Sequence, residues 1–439
     1  MPMPTFREAF WVWLKVAAYS FGGPAGQIAV MHKLVVEEKK WVSESRFLHA
    51  LNYCMLLPGP EAQQLATYLG WLLHGTRGGL VAGILFILPG FFSILLLSIL
   101  YAGYQEMPLV QGLFFGLKPA VMAVVVEAVI RIGRRVLTNK VMVGIATAAF
   151  IAIFFFNLPF PLIVLSAALV GFVGGRIWLE PFDVVRGHQT AAEANEVNDT
   201  ARPSTRRALR VLVTGLAIWF VPLLAVGWLW PDVPVLAEIG RFFSYAAVVT
   251  FGGAYAVLAY IAQQAVEVYG WLAPGEMLDG LGMAETTPGP LIQVVQFVGF
   301  MGAYRFPGGL APLWAGVLGA IVSTWATFAP CFLWIFLGAP YIEYLRGNKS
   351  LTTALSAVTA AVVGVILNLA IWFSLHTLFG TVDEIMTGPI RWQIPVWSTL
   401  DTAALVIAVG AFVAIFRYKQ SMLVVLAGSA LAGLLYYLI

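Results

Sequence analysis

The sequence predicts an all-α polytopic membrane protein built from two inverted repeats. Three observations predict it: a composition too apolar for a water-soluble surface, long continuous apolar stretches, and one set of motifs written twice in a single register.

Of the 439 residues, 60% are hydrophobic and 11% are charged, against about 25% charged in an ordinary soluble domain. The mean hydropathy is +0.86. Runs such as LVAGILFILPGFFSILLLSILYAGY (80–104) are unbroken. They lack the alternation of a barrel strand and are long enough for membrane helices. The N-terminus, MPMPTFREAFWVWLK, has neither a basic leader nor a small-residue cleavage site, so no removable secretory signal is expected. Cys54 and Cys331 lie in apolar segments and read as packing residues, and the five histidines follow no ligand spacing. Neither a metal site nor a nucleotide-binding glycine loop is expected, and no cofactor. Active transport would then draw on an ion or substrate gradient or on a partner.

About thirteen hydrophobic segments follow one another: 6–30, 48–74, 78–101, 110–133, 141–157, 159–175, 211–230, 241–263, 278–303, 308–340, 353–376, 400–416 and 421–438. The polar stretch 176–210, with GHQTAAEANEVNDTARPSTRR, has no apolar period and reads as a flexible cytoplasmic loop. The expected organisation is a first repeat over 1–175, that loop, a linking transmembrane helix over 211–230, and a second repeat over 231–439.

The repeat is legible residue by residue. Phe21-Gly22-Gly23 and Phe251-Gly252-Gly253 lie 230 positions apart. So do Pro58-Gly59-Pro60 and Pro288-Gly289-Pro290, Glu37 and Glu267, Trp41 and Trp271, Gln63 and Gln293, and Gly78-Gly79 and Gly308-Gly309. Later, AFIAIF (149–154) returns as AFVAIF (411–416) after insertions. Such internal repeats are common in secondary transporters, whose sites sit at the repeat interface.

Six segments precede the loop and seven follow it, so the extra one would turn the second half upside down. Charge agrees. The turn 131–140 carries Arg131, Arg134, Arg135 and Lys140 and should be cytoplasmic. Its counterpart 377–399 carries Asp383, Glu384 and Arg391, as an outside loop would. Arg417 and Lys419 mark a basic turn whose first-half partner, near Asn157, is uncharged. Plain spans at the start of each half would put Lys33, Lys39, Lys40 and Arg46 outside and Glu267 and Glu276 inside. Both placements are reversed relative to the rule. Re-entrant broken hairpins at the FGG and PGP segments remove the conflict. Each arm around PGP is about 15 residues, roughly 22 Å of helix, short of a 30 Å core.

Candidate binding residues gather at these breaks. Pro58, Gly59 and Pro60 interrupt a helix that restarts just after them, and Pro60 suits a first helical turn. A helix N-terminus near mid-membrane would attract an anion. Pro288, Gly289 and Pro290 repeat the device, with Thr286 and Thr287 as added hydroxyl donors. The alternative reading is a plain kink. Gly22, Gly23, Gly252 and Gly253 serve either close backbone approach to a ligand or close helix packing. Ser20 and Thr250 precede them. Gln27, Gln63, Gln64, Gln293 and Gln296 either bind oxyanion oxygens or join helices. Lys118 is the most central cation and would neutralise anion charge. Lys15, Glu61, Glu127, Glu285 and Arg241 are further intramembrane charges. Glu61, beside PGP, is the coupling candidate, or else a helix-capping carboxylate; Leu291 stands at its repeat position. Arg7, Glu8, Arg77 and Arg305 read as interface anchors.

FGGPAGQIAVMH, EEKKWVSESRFLHALNYCMLLPGPEAQQLATYLGWLLHG and GGLVAGILFILPG together resemble the chromate ion transporter family in its long, two-half form. The likeness returns in VVTFGGAYAVLAYI and ETTPGPLIQVVQFVGF. The resemblance implies chromate efflux and chromate resistance in a bacterial inner (plasma) membrane, with sulfate as a look-alike anion. It marks Gly22, Gly23, Pro24, Pro58, Gly59 and Pro60, with Gly252, Gly253, Pro288, Gly289 and Pro290, as motif positions. Ala254 replaces the proline of FGGP, which breaks the symmetry of that site. The expected partners are chromate, sulfate, protons or a counter-anion, and the lipid bilayer; nucleic acid is not expected, and a homodimer is left open. The competing functions are a transporter of another anion and a membrane enzyme such as a chromate reductase, for which no cofactor motif or redox cysteine pair is present.

Overall fold

The computed structural model describes residues 4–21, 23–178, 180–182, 204–251, 254–273, 275–341 and 349–438. The chain folds into helices α1 (Phe6–Tyr19), α2 (Gly23–Met31), α3 (Glu44–Leu56), α4 (Glu61–Tyr104), α5 (Pro108–Val136), α6 (Lys140–Phe154), α7 (Phe160–Ile177) and α8 (Thr205–Leu229). Then follow α9 (Pro234–Val249), α10 (Ala254–Gln263), α11 (Glu276–Thr286), α12 (Val294–Arg305), α13 (Pro312–Gly338), α14 (Lys349–Leu378), α15 (Thr402–Phe412) and α16 (Met422–Leu438). Among the described residues, six helices are long and apolar enough to cross a membrane: α4, α5, α7, α8, α13 and α14. Shorter apolar helices accompany them.

Several apolar segments are divided where the turn chemistry demands it. The segment 6–30 breaks after Tyr19, and 241–263 breaks after Val249. The segments 48–74 and 278–303 break at the two PGP turns. α4, with 44 residues, is about 66 Å of helix. It is not straight: His74 (φ −140°) and Gly75 (φ +60°) leave helical geometry. The arm 61–73 folds back along 76–104, and a Cβ on Gly70 would meet the Gly78 carbonyl and one on Gly79 the Thr67 carbonyl. α12 lies against α13 in the same way, with Gly299 against Gly319.

Two details add to the expected layout. At the edges of the stretch 176–210, α7 runs to Ile177 and α8 begins at Thr205. Asn139 helps fix the start of that stretch, since its side-chain amide donates to the Pro181 carbonyl at 2.8 Å. Residues 183–203 lie outside the described residues. The chain is helical as expected of an all-α membrane protein, with one short hairpin added. Strands β1 (Val382–Thr387) and β2 (Ile390–Pro395) form an antiparallel hairpin in the loop 377–399. Ile385 faces Trp392 and Thr387 faces Ile390 across it, and Gly388, at φ +62°, makes the two-residue turn.

The two halves match at the level of backbone geometry. Gly59 and Gly289 share φ +117°, Lys40 and Gly270 have +52° and +62°, and Asn157 and Lys419 have +49° and +51°. α2 and α10 both run on into π-helical turns, His32–Glu38 and Gln264–Val268. The halves also exchange packing partners. α5 lies against α16, and α7 against α14. Gly116 faces the Ser429 carbonyl at the first crossing, and Gly171 faces the Thr353 carbonyl at the second, each too close for any Cβ. Small residues spaced four apart (Gly112 and Gly116, Gly171 and Gly175) allow this approach, as in other membrane helix pairs. α8 stands at the periphery: Trp219 is its buried residue, while Leu224 and Trp228 are 70% and 80% exposed. Such an apolar face suits lipid.

Candidate functional site

The two PGP turns are buried at their glycines, and each is held by the opposite half. The Gly59 N–H donates to the Thr250 carbonyl at 2.8 Å. The Gly289 N–H donates to the Ser20 carbonyl at 2.9 Å. Ser20 and Thr250 end α1 and α9 at their breaks, where the chain leaves helical geometry and frees a carbonyl. A second cross-contact repeats the pattern. A Cβ on Gly59 would lie 2.9 Å from Cys331 Sγ, and one on Gly289 would lie 2.9 Å from Gly90 Cα. Gly90 follows Pro89 within α4, and Cys331 follows Pro330 within α13. Both prolines are helix-interior, so each turn packs against a proline site of the other half.

Beyond the turns, α4 restarts at Glu61, and the second half restarts with a 3₁₀ turn, Leu291–Gln293, before α12. The opening N–H groups of such helices have no partner inside the helix, and the dipole is positive there. Gln27 and Gln64 lock the turn carbonyls: Gln27 Nε2 donates to the Gly289 carbonyl and Gln64 Nε2 to the Pro58 carbonyl, both at 2.7 Å. Gln63 donates to Thr67 Oγ1 at 3.1 Å. Gln293 donates to Gln296 Oε1 at 2.6 Å and to Thr324 Oγ1 at 3.2 Å. Gln296 Nε2 reaches the Phe91 carbonyl at 2.9 Å. The oxygens of Gln27, Gln63, Gln64 and Gln293 are buried and have no hydrogen-bond partner among the described residues.

This arrangement revises the donor set expected from sequence. Ser20 Oγ donates to the Val16 carbonyl and Thr250 Oγ1 to the Ala246 carbonyl, at 2.6 and 2.5 Å. Thr286 and Thr287 likewise donate back to the Gly282 and Met283 carbonyls, at 2.8 and 2.9 Å. Hydroxyls at a helix end satisfy its free carbonyls, so here they are not free donors to a ligand. The glutamines present acceptors rather than donors. Pro24 is the second residue of α2, and Ala254 opens α10 at the same repeat position. Gly23, at φ +73°, is buried, while Gly22, Gly252 and Gly253 lie outside the described residues.

Lys118 is not beside the turns as a free cation. Its Nζ lies 3.4 Å from Asp279 Oδ2, in a cavity of about 320 Å³ also lined by Tyr101, Gln111, Phe114 and Tyr437. Arg305 is likewise not a simple interface anchor: it pairs with Glu276 at 2.7 Å and donates to the Trp271 carbonyl at 2.8 Å. Sequence reading passed over Tyr255, Tyr101 and Asp279. Asp279, an acid within an apolar segment, was the available signal for the last of these. Tyr255 Oη donates to Glu285 Oε1 at 2.6 Å, and it stands against Gly23, whose added Cβ would be 3.7 Å away.

A multi-pass apolar bundle whose broken helices interlock across two related halves defines a polytopic membrane transport protein. The chain belongs to the chromate transporter family, which it matches over residues 7–172 and 237–434. The Chromate transport protein of Cupriavidus metallidurans is 26% identical over 438 residues, covering 99% of this chain and 94% of that protein. The Chromate transport protein of Pseudomonas aeruginosa is 28% identical over 448 residues, with coverage of 99% and 94%. A Probable chromate transport protein of Synechococcus elongatus is 28% identical over 370 residues, covering 83% of this chain and 84% of its own length. No solved structure matches the chain. Its relatives are transport proteins, so the reductase reading falls away.

Proposed function

We propose that this chain is a secondary transporter that carries chromate out of the cytoplasm across the bacterial inner membrane, and so confers chromate resistance. The observation that carries the reading is the reciprocal docking of the Gly59 and Gly289 turns on Thr250 and Ser20. It ties the turn before a helix N-terminus in each half to the helix break of the other, and discontinuous helices at a repeat interface are what transporters use to hold an anion. The binding set comprises the backbone around Gly23, Pro24, Pro58 to Pro60 and Pro288 to Pro290, with Ser20, Thr250, Thr286 and Thr287 shaping the breaks. The unpaired oxygens of Gln27, Gln63, Gln64 and Gln293 would accept from hydration water or from the O–H of a protonated oxyanion. Lys118, in its cavity, would draw the anion in rather than neutralise it at the turns. Rocking of the halves about the crossed turns would alternate access, with Glu61 a first-half candidate for coupling.

The same reading includes inverted halves and re-entrant hairpins. Its support is a contact face. Arg391 lies 3.7 Å from Glu267, its N–H donates to the Phe155 carbonyl at 2.7 Å, and Gln263 bonds Asn157. Glu267 thus shares a face with the acidic hairpin loop rather than with the basic turns. α3, at 13 residues, is about 20 Å long and stops short of a full span.

The test is uptake of radiolabelled chromate into inside-out vesicles containing the protein, with and without a proton gradient and with excess sulfate. Uptake above empty vesicles, competed by sulfate, is expected. Chromate-free vesicles that instead accumulate labelled sulfate would replace chromate with sulfate as the cargo. No uptake of either overturns the reading.

A further inference from the structure

α11 carries three acids: Glu276 pairs with Arg305, and the other two, Asp279 and Glu285, are used by neither turn. Asp279 is 2% exposed and Glu285 1% exposed. Each accepts one tyrosine hydroxyl: Tyr101 Oη donates to Asp279 Oδ2 at 2.8 Å, and Tyr255 Oη to Glu285 Oε1 at 2.6 Å. Each also keeps one buried oxygen, Asp279 Oδ1 and Glu285 Oε2, with no hydrogen-bond partner among the described residues. An ionised carboxylate so placed is costly, and taking up a proton removes the cost of its charge.

The two acids face different surroundings. Asp279 lines the 320 Å³ cavity with Lys118, where α4 meets α5. The charged groups around it are Lys118 on α5, Glu276 one turn earlier on α11, and Glu106, which lines the same cavity. Glu285 lies about 9 Å further along α11 by helical rise, three residues before Pro288. The charged groups acting on it are Arg131 and Glu127, paired with each other on α5 at 3.5 Å. Through Tyr255, Glu285 reaches Gly23 at the first-half break. The first half has Ala25 and Met55 at the repeat positions of Tyr255 and Glu285, so this pair exists once.

We propose that Asp279 and Glu285 bind the coupling proton: Asp279 takes it from water in the cavity, and Glu285 holds it beside the Pro288 turn. The proposal deepens the transport reading and rests on it. The physical coupling is like-charge repulsion. An anion at the turns disfavours an ionised Glu285 and a protonated Glu285 favours the anion, so proton and anion bind together and travel in the same direction; outward, the two charges of the anion gain more from an inside-negative potential than the one proton costs. No bond other than O–H forms or breaks.

Proteoliposomes with a pH dye in the lumen test this. With a chromate gradient imposed and no pH gradient, wild-type protein should acidify the lumen as chromate enters, and flux should rise as pH falls. Glu285→Gln, which resembles the protonated acid in shape, should still exchange chromate, without acidification and without pH dependence. Asp279→Asn should slow acidification. Tyr255→Phe should keep coupling but alter its pH profile, because Glu285 then loses its hydroxyl partner. Wild-type flux without acidification overturns the proposal, as does a Glu285→Gln protein with wild-type pH dependence, or loss of coupling in Glu61→Gln alone. Absence of all chromate flux in wild type overturns the transport reading instead. The proton proposal is then decided by infrared difference spectra against pH: a carboxylic acid band lost in Glu285→Gln supports it, and no such band overturns it.

Discussion

The Gly59 N–H and the Thr250 carbonyl, 2.8 Å apart, join the turn of one half to the helix break of the other. The reciprocal bond from Gly289 to Ser20 makes the link double. Neither turn can shift without pulling on the partner half's first helix. In a carrier that exposes one site alternately to two sides, such a link would transmit occupancy at the turns to both halves at once.

The two turn glycines should respond differently to substitution. Both sit at φ +117°, where any side chain is strained by on the order of 1–3 kcal/mol. A Cβ on Gly59 would meet Cys331 Sγ and the Gln64 amide, side-chain atoms that can give way. A Cβ on Gly289 would meet Gly90 Cα and N, which are backbone. Gly289→Ala should therefore lower the melting temperature in detergent more than Gly59→Ala. Adding Cys331→Ala should recover part of the Gly59→Ala loss and none of the Gly289→Ala loss. Larger side chains, Gly59→Leu or Gly289→Leu, should abolish transport while the protein still inserts. Equal melting of the two alanine variants would refute the difference.

Gln27 supplies a prediction about the site's own stiffness. Its amide is buried and donates across the halves to the Gly289 carbonyl. Gln27→Leu leaves that carbonyl without its side-chain partner, at a cost of about 1–3 kcal/mol. The expected result is a destabilised protein with a raised KM for the anion and correct membrane insertion. A KM equal to wild type would mean that the turn is held without Gln27.

The parts of this design that were legible in the sequence are those written as repeated text. FGG and PGP, 230 residues apart, announced the broken helices, and the breaks fall where Pro and Gly place them. The proline sites that receive the turns were hidden. Pro89-Gly90 and Pro330-Cys331 sit 241 positions apart, after an insertion, and one glycine has become cysteine. The hydroxyls of Ser20, Thr250, Thr286 and Thr287 were legible as residues but not as bonds, because a helix end claims them first. Lys118 read as a lone cation because its partner, Asp279, lies on another helix far along the chain. The β-hairpin stood in a loop whose pairing only the register of Asp383 with Ile394 and its neighbours reveals.

Membrane sidedness yields a labelling prediction. Cys54 and Cys331 are both buried and free, so a cysteine added at the surface should dominate labelling. Lys39→Cys and Glu267→Cys would then report their faces to a membrane-impermeant thiol reagent. Re-entrant hairpins place Glu267→Cys outside and Lys39→Cys inside. Plain spans require the reverse, and that outcome would remove the hairpins while leaving the packing described above intact.

Lys118 and Asp279 yield the last prediction. Asp279 is 2% exposed as a side chain and Lys118 is 32% exposed, with 3.4 Å between Nζ and Oδ2. Removing one member of a fully buried pair costs roughly 3–5 kcal/mol, because the other charge is stranded. Here the cost should be smaller, since water reaches Lys118 and screens it. Lys118→Met should lower the melting temperature. Lys118→Met combined with Asp279→Asn should restore most of the loss, because neither charge of the pair then remains and the new amide oxygen can still accept from Tyr101. If instead Lys118 serves the anion directly at the turns, the single and double variants should melt alike and differ from wild type chiefly in anion affinity. Melting curves of the three proteins, each with and without chromate, separate a lysine held by Asp279 from one that waits for the substrate.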